Sequence, residues 1–373
     1  MDYSHKVTMI RLRRHASRVR MALSGQQELG RSAGFWFAFA VVVVGCFAAP
    51  MFLSRWQLLN FSNFLINGFL ALSLCLIWGF CGILSLGQGA FMGLAGYAYG
   101  VAGINLMEQN GNTDLALVIG LITPVLLAAV LGSIMFYARV QGVYVAILTL
   151  LVTLLFETFL NQTAGEGWFV GKAHLGGNNG LGRFAADIRE PPSLALGFGD
   201  SVMEFGGRSY AFFYLTISLL LVTYLGLRCL VNSRFGSVLV AIREDADRTQ
   251  AFGHDVRLIQ LLVFCLSALI AGLSGILYVS WGNFITPDVF GVYNNILPVI
   301  WVAFGGRKSL TASLGGTMFL VWLSQALAIQ SDYAFIVLGV ILIAVMMLLP
   351  EGAISEIADL IDRWSRRSAR VVE

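Results

Sequence analysis

From Trp56 to Met107 the chain carries no Asp, Glu, Lys or Arg. A run of this length without charge has no solvated face. Crossing a hydrocarbon core of about 30 Å takes about 20 residues, so the run holds more than one membrane-spanning helix. The rest of the 373-residue chain agrees: 57% of its residues are apolar and 12% are charged, against about 25% charged in soluble domains. These stretches exclude a soluble enzyme, a disordered chain and a β-barrel, whose strands would read as short alternating segments. The net charge of +3 is spread over the termini and several loops, which gives no footprint for nucleic acid.

The expected fold is therefore an all-α integral membrane protein of about ten spans. A basic arm, 1–34, precedes a transmembrane region, 35–350, and a tail, 351–373, follows it. The spans are expected at Phe35–Leu53, Leu58–Gly79, Ile83–Met107, Leu115–Ala138, Val143–Leu160, Tyr210–Val231, Leu258–Trp281, a short one at Asn295–Phe304, Leu310–Ile329 and Tyr333–Leu349. The first is too long for a signal-peptide core and lacks a clear small-x-small site, so it reads as an anchor. Lys and Arg accumulate on the cytoplasmic side of short loops. With the N terminus inside, 19 of the 24 Lys and Arg lie inside; Arg55, Lys172, Arg183, Arg189 and Arg208 lie outside. Both termini are thus expected in the cytoplasm, with segment 161–209 outside and segment 232–257 inside. An odd span count would put one basic terminus outside.

Little in the spans can do chemistry. The five cysteines form no CxxC pair and read as small buried apolar groups. The four histidines are scattered, so neither a metal site nor a catalytic group is expected. Gly305–Gly306–Arg307–Lys308–Ser309 is not a phosphate loop, because the pattern GxxxxGK(S/T) lacks its opening glycine here and Arg307 separates the glycine from the lysine. Ion-coupled transport normally needs intramembrane titratable groups. Glu157, near the outer end of the fifth span, is essentially the one acid there. Energy must come from a partner, or transport is passive. Neutral hydrogen-bonding groups remain as candidates for lining a pathway: Asn67, Gln88, Tyr97, Tyr99 and Thr149, with Glu157 at an outer vestibule. A zwitterion would meet no charged partner on such a wall, which favours a small neutral solute. Glycines at 79, 82, 87, 89, 93, 96, 100 and 103 point to close helix packing, and Gly87–Gln88–Gly89 to a broken helix at the start of the third span. No internal repeat is evident, although blocks two–five and seven–ten start from opposite sides, as an inverted repeat requires.

The polar segment Asn232–Arg257 is the most informative. Phe235, Val238, Leu239, Ile242, Ala246 and Thr249 follow three-four spacing, which predicts one amphipathic helix ended by Gly253 in a left-handed cap. Glu244 and Arg248 lie one turn apart and are expected to pair. The helix either lies on the membrane or docks a soluble partner. The pattern leaves both open, although a lipid-surface helix would usually carry an excess of Lys and Arg on its polar face.

Leu84–Ala98, Leu175–Leu181, Phe235–Val256 and Phe264–Tyr278 together resemble the permease subunit, M or C type, of branched-chain amino acid and urea ABC importers. The resemblance covers roughly Leu58 to Pro350, in the family's order and on matching sides of the membrane. It implies the ten-span fold of the larger ABC importers, such as the vitamin B12 type, in a bacterial inner-membrane subunit with no catalytic site of its own. It implies a second, related permease, two cytoplasmic ATPases that hold the ATP and Mg, and a periplasmic solute-binding protein. Under it the 232–257 segment becomes the element that couples to the ATPase, through Phe235, Gly236, Ile242, Arg243, Glu244, Asp245 and Gly253. Asn178 and Asn179 fall in the outer loop that faces the binding protein. That pair and Val299–Leu310 look more like the urea or short-amide branch than the amino-acid branch. The expected substrate is therefore urea or a short amide. The alternatives are branched-chain amino acids, a passive channel for a small neutral solute and, more remotely, a non-transporting scaffold. The resemblance is silent on the basic arm.

Overall fold

The computed structural model describes residues 25, 27–28, 33–165, 167–182, 189–198, 201–330, 339 and 352–356. The expected tenth span, Tyr333–Leu349, and most of the arm and tail lie outside the described residues.

Helices dominate. The long ones are α1 (Ala33–Phe52), α2 (Arg55–Leu74), α3 (Gln88–Asn110), α4 (Asp114–Tyr137), α5 (Val143–Asn161), α6 (Tyr210–Val231), α9 (Val256–Gly282) and α11 (Leu310–Gln330). Among the described residues, eight helices are long and apolar enough to cross a membrane. Between α6 and α9 lie two short helices, α7 (Arg234–Glu244) and α8 (Ala246–Ala251); α10 (Val292–Gly305) precedes α11. Segment 161–209 adds two antiparallel hairpins that the apolar pattern did not reveal, β1–β2 (Phe169–Val170 with Ala173–His174) and β3–β4 (Leu194–Phe198 with Ser201–Phe205).

The centre of the bundle is α2, α3, α4 and α9. Backbones meet closely there: a Cβ on Gly275 of α9 would lie 1.9 Å from the carbonyl oxygen of Met92 on α3. By contrast, none of residues 34–52 of α1 is buried. That helix stands against α6 over an apolar groove of about 490 Å³ floored by residues such as Leu65, Leu220 and Met318.

Loops expected on one side of the membrane meet one another. Cys75 Sγ donates to the carbonyl of Arg307 at 3.3 Å, and Arg243 reaches Gly79. At the other end Asn105 donates to the carbonyl of Val170 at 2.8 Å, and Asn283 to that of Pro191 at 2.9 Å.

Two spans are discontinuous. The last turn of the second span, Cys75–Phe80, is π-helical. Gly82 then takes φ +78°, and residues 82–87 run without helix until α3 begins at Gln88, not at Ile83 as the hydropathy predicts. This stretch re-enters the bundle, since Gln88 meets Ser73, seven residues or about 10 Å up α2 from Phe80. Non-helical backbone at membrane depth persists only where protein satisfies it. Ile83 N donates to the carbonyl of Ile77 at 3.1 Å, and Leu86 N donates to Thr149 Oγ1 at 3.0 Å. The second break follows α9. Asn283 caps it at φ +55°, and the chain turns back through a bridge between Leu181 and Ile285 and a 3₁₀ turn at Pro287–Phe290. Helix α10, at 14 residues, spans about 21 Å and is too short to cross alone. The re-entrant stretch supplies the rest of the path, which explains why the eighth span looked short.

Candidate functional site

The two breaks occupy corresponding places in blocks two–five and seven–ten: a spanning helix, a left-handed residue, a re-entrant stretch and a helix that starts inside the bundle. They meet at Gly89 and Asn295. Asn295 is buried; its Oδ1 accepts from Gly89 N at 2.8 Å, and its Nδ2 donates to the carbonyls of Phe290 and Gly291, both at 2.9 Å. A Cβ on Gly89 would lie 2.5 Å from Asn295 Oδ1, so only glycine permits the crossing. Paired interruptions of this kind are the sequence-level marker of substrate sites in inverted-repeat transporters.

Gln88 is buried beside this crossing. It accepts from Ser73 Oγ at 2.6 Å and donates to Ser267 Oγ at 3.2 Å, and Ser267 donates to the carbonyl of Ser73 at 3.0 Å. Thr149 is buried, accepts from Leu86 N and gives its own proton to the carbonyl of Val145 or Ala146 at 2.9–3.0 Å. One layer outward, Tyr97 packs on Phe290 with ring centroids 5.9 Å apart, and the half-buried Glu157 lies against Gly291. The Tyr97 hydroxyl is buried with no hydrogen-bond partner among the described residues. Gln88, Tyr97, Thr149 and Glu157 are thus brought around the re-entrant segments. Tyr99 is not: its hydroxyl donates to the carbonyl of Pro192 at 3.2 Å. Asn67 is not either, and donates to Asn63 on its own helix at 3.1 Å. Sequence reasoning missed Ser73, Ser267 and Asn295. A polar residue opening an over-short span was the available signal for Asn295.

The glycine pattern is only partly helix-on-helix packing. Gly93 faces the Phe290 ring of the 3₁₀ turn, at 2.4 Å from a built Cβ, whereas Gly96 approaches Gly275 of α9.

The 232–257 segment is two helices, not one. Asp245 adopts an extended conformation, φ −159° and ψ 103°, and its side chain caps α8 by accepting from Arg248 N at 3.0 Å. The break moves the expected Glu244–Arg248 pair off one helical face. Arg248 pairs with Asp245 at 2.9 Å and Arg243 with Glu244 at 2.7 Å. Arg243 donates to Glu244 from Nε and Nη2, and holds that carboxyl below the usual carboxylate range. Gly253 does end the segment, at φ +90°. The expected docking stripe is turned inward: Ile242 is 4% exposed, and Leu239 and Gly236 are buried with it, while Phe235 is half-buried. What faces away from the bundle is Glu244, Asp247, Arg248 and Phe252, the last 85% exposed. Arg243 points inward as well. Its Nη1 donates to the carbonyl of Gly79 at 2.7 Å, which joins this segment to the π-helical turn.

Asn178 and Asn179 sit exposed on a 3₁₀ turn at the outer end. Gly176, Gly177 and Gly180 around them all take positive φ. At Gly180 a Cβ would strike the carbonyl oxygen of Ile285 at 2.0 Å, so the loop is seated on the second re-entrant stretch. Among the described residues no group of His, Cys, Asp and Glu forms a metal site.

Residues 57–346 match the family model described as branched-chain amino acid transport system / permease component. The chain is 26% identical over 337 residues to the high-affinity branched-chain amino acid transport system permease protein LivM of Escherichia coli, an overlap of 85% of this chain and 74% of that protein. LivM of Salmonella typhimurium matches with the same figures. The probable branched-chain amino acid transport permease protein LivM of Methanocaldococcus jannaschii is 23% identical over 164 residues, 40% of this chain and 48% of that protein. No solved structure matches.

Proposed function

Because the chain belongs to the branched-chain amino acid transport permease family, we propose that it forms half of the membrane pathway of an ATP-driven importer of branched-chain amino acids. The observation that carries this reading beyond family membership is the 232–257 segment. It offers an exposed aromatic, Phe252, on one side and a half-buried arginine, Arg243, bonded to a transmembrane turn on the other. A passive channel has no use for such a two-faced element. In this reading two cytoplasmic ATPases hold the ATP and Mg, a second permease completes the pathway, and a periplasmic binding protein delivers the substrate to the outer face around Asn178 and Asn179. The chain lies in the inner membrane with both termini in the cytoplasm. An impermeant thiol reagent should then label Val202→Cys in intact cells and Ser237→Cys only after lysis; the reverse pattern would invert the topology.

Substrate choice turns on the wall of the pathway. The argument for urea needed Gln88 and Thr149 free to exchange hydrogen bonds with an amide. Both are engaged within the chain. The objection to a zwitterion also lapses, because α3 and α10 both begin inside the bundle and a helix start carries partial positive charge that suits a carboxylate. The named function of the curated relatives points the same way. Urea or a short amide stays as the second reading, on the Asn178–Asn179 pair and the Val299–Leu310 stretch.

Uptake of labelled leucine and labelled urea by cells carrying the complete complex tests both. ATP-dependent leucine uptake without urea uptake is the expected result. Urea uptake alone would promote the second reading, and uptake of either that persists without ATP would promote the channel.

A further inference from the structure

The basic arm has no counterpart in the matched region, which begins at residue 57, yet its described residues make specific contacts at two separate places. Glu28 is buried, at 5% exposure. Its Oε1 accepts from Ser309 Oγ at 2.6 Å and from Thr311 N and Oγ1 at 3.0 Å; its Oε2 accepts from Leu310 N at 3.0 Å. The carboxylate therefore caps α11, whose first N–H groups have no partner in their own helix, and carries the negative charge that a helix start favours.

Thr311 passes the contact on. Its one hydroxyl proton goes to Glu28, so the Tyr224 hydroxyl, 2.7 Å away, donates to Thr311 and itself accepts from Arg228 Nη1 at 2.7 Å. Arg228 is fully buried, with its guanidinium 5.0 Å from the Phe35 ring centroid and 4.9 Å from that of Trp36 on α1. A carboxylate and a guanidinium thus end a polarised hydrogen-bond chain that ties the arm to α1, α6 and α11.

The neighbouring residue holds the other place. With its amide oriented to satisfy both ends, Gln27 donates to the carbonyls of Val231 at 2.8 Å and Gly236 at 3.2 Å and accepts from Ser237 Oγ at 3.1 Å. These atoms are the end of α6 and the first turn of α7. Gly25 completes the seat, since a Cβ there would lie 2.4 Å from Asn232 Oδ1.

We propose that Gly25, Gln27 and Glu28 form a clasp that joins the start of the coupling segment to the start of α11, with Gln27 and Glu28 as positioning residues that make the two move as one body during transport. Two adjacent side chains span from one to the other, so a displacement of α7 reaches α11 without passing through the bundle core. The clasp itself rests on geometry alone; its part in transport rests on the importer reading above.

The test uses the complete complex and two readouts. Hydrogen–deuterium exchange follows the amides of 309–313 and 233–237. Uptake of labelled leucine and urea per ATP hydrolysed follows coupling. Glu28→Gln should speed exchange at both places together and lower uptake per ATP at least threefold, with the ATPases still co-purifying. Gln27→Ala, which leaves the cap of α11 in place, should speed exchange at 233–237 alone and lower uptake per ATP as well. If Glu28→Gln loosens only 309–313, the carboxylate is a helix cap and the clasp is refuted. Wild-type uptake per ATP in both variants would refute its part in transport. Should the wild-type complex show no ATP-driven uptake, the importer reading falls, while the exchange data still decide whether the clasp exists.

Discussion

Arg243 Nη1 donates a 2.7 Å hydrogen bond to the carbonyl oxygen of Gly79, and so fastens the 232–257 segment to the π-helical end of the second span. π-helical turns are rare and recur at functional sites. Beyond this turn the chain leads through residues 82–87 to Gln88 and the crossing of the two broken spans. The bond therefore connects the 232–257 segment, through this turn, to the interior of the bundle.

We expect Arg243→Ala to separate assembly from coupling. A hydrogen bond from a charged donor contributes about 1.5–3 kcal/mol, enough to free the turn without unfolding the chain. The ATPases should co-purify at the wild-type ratio while uptake per ATP hydrolysed falls several-fold. Arg248→Ala, on the outward face, should instead weaken co-purification. Identical behaviour of the two variants would remove the distinction. The pair with Glu244 sets the pH range: its folded pKa is lowered, so its contribution is complete above the ordinary value of about 4.3 and is lost as pH falls through the lowered one. Coupling measured between about pH 6 and 8 should show no step from this group.

Phe252, not Ile242, should carry the docking role that periodicity assigned to the Ile242 stripe. Burying an aromatic side chain in a partner contributes roughly 1.5–3 kcal/mol, so Phe252→Ala should weaken ATPase binding about ten- to hundredfold and leave the permease equally stable. Ile242→Asp buries a carboxylate among the chain's own apolar groups and should lower the yield of folded permease even without partners. Titration of purified permease with the ATPase, together with thermal unfolding in detergent, separates the two effects.

Gly275 sets the distance between α9 and α3. A methyl group there meets backbone, the Met92 carbonyl at 1.9 Å, and backbone cannot rotate aside. Gly275→Ala should cost about 1–3 kcal/mol, as overpacking typically does. Gly226→Ala on α6, with nothing within 4 Å of its Cβ, should be neutral or stabilising. Equal melting temperatures would show that the helices separate freely.

Gln88 offers the sharpest choice between structure and pathway. Its amide joins Ser73 on α2 to Ser267 on α9, so Gln88→Ala leaves two buried hydroxyls short of a partner, at about 1–3 kcal/mol. We expect a lower melting temperature with the KM for leucine uptake within twofold of wild type. A large change in KM at unchanged stability would return Gln88 to the wall of the pathway.

The membrane class, the span order and the left-handed stop at Gly253 were legible in the sequence. Each follows from a local property, namely how long an apolar run is, where the next one begins, and which residue tolerates positive φ. The family was legible through four short segments in register. Facing directions were not. Three-four spacing shows that Ile242 lies on an apolar stripe, but a stripe that packs on its own bundle reads the same as one kept for a partner. The discontinuities were half visible: Gly87–Gln88–Gly89 and a short eighth span marked them separately, and only the folded chain brings Gly89 to Asn295. Long-range polar contacts left no periodic trace at all. Glu28 looked like one acid in a basic arm, and it caps a helix that starts 282 positions later at Leu310. A helix cap across such a separation depends on the bundle bringing residues 28 and 310 together, which is a property of the tertiary structure alone.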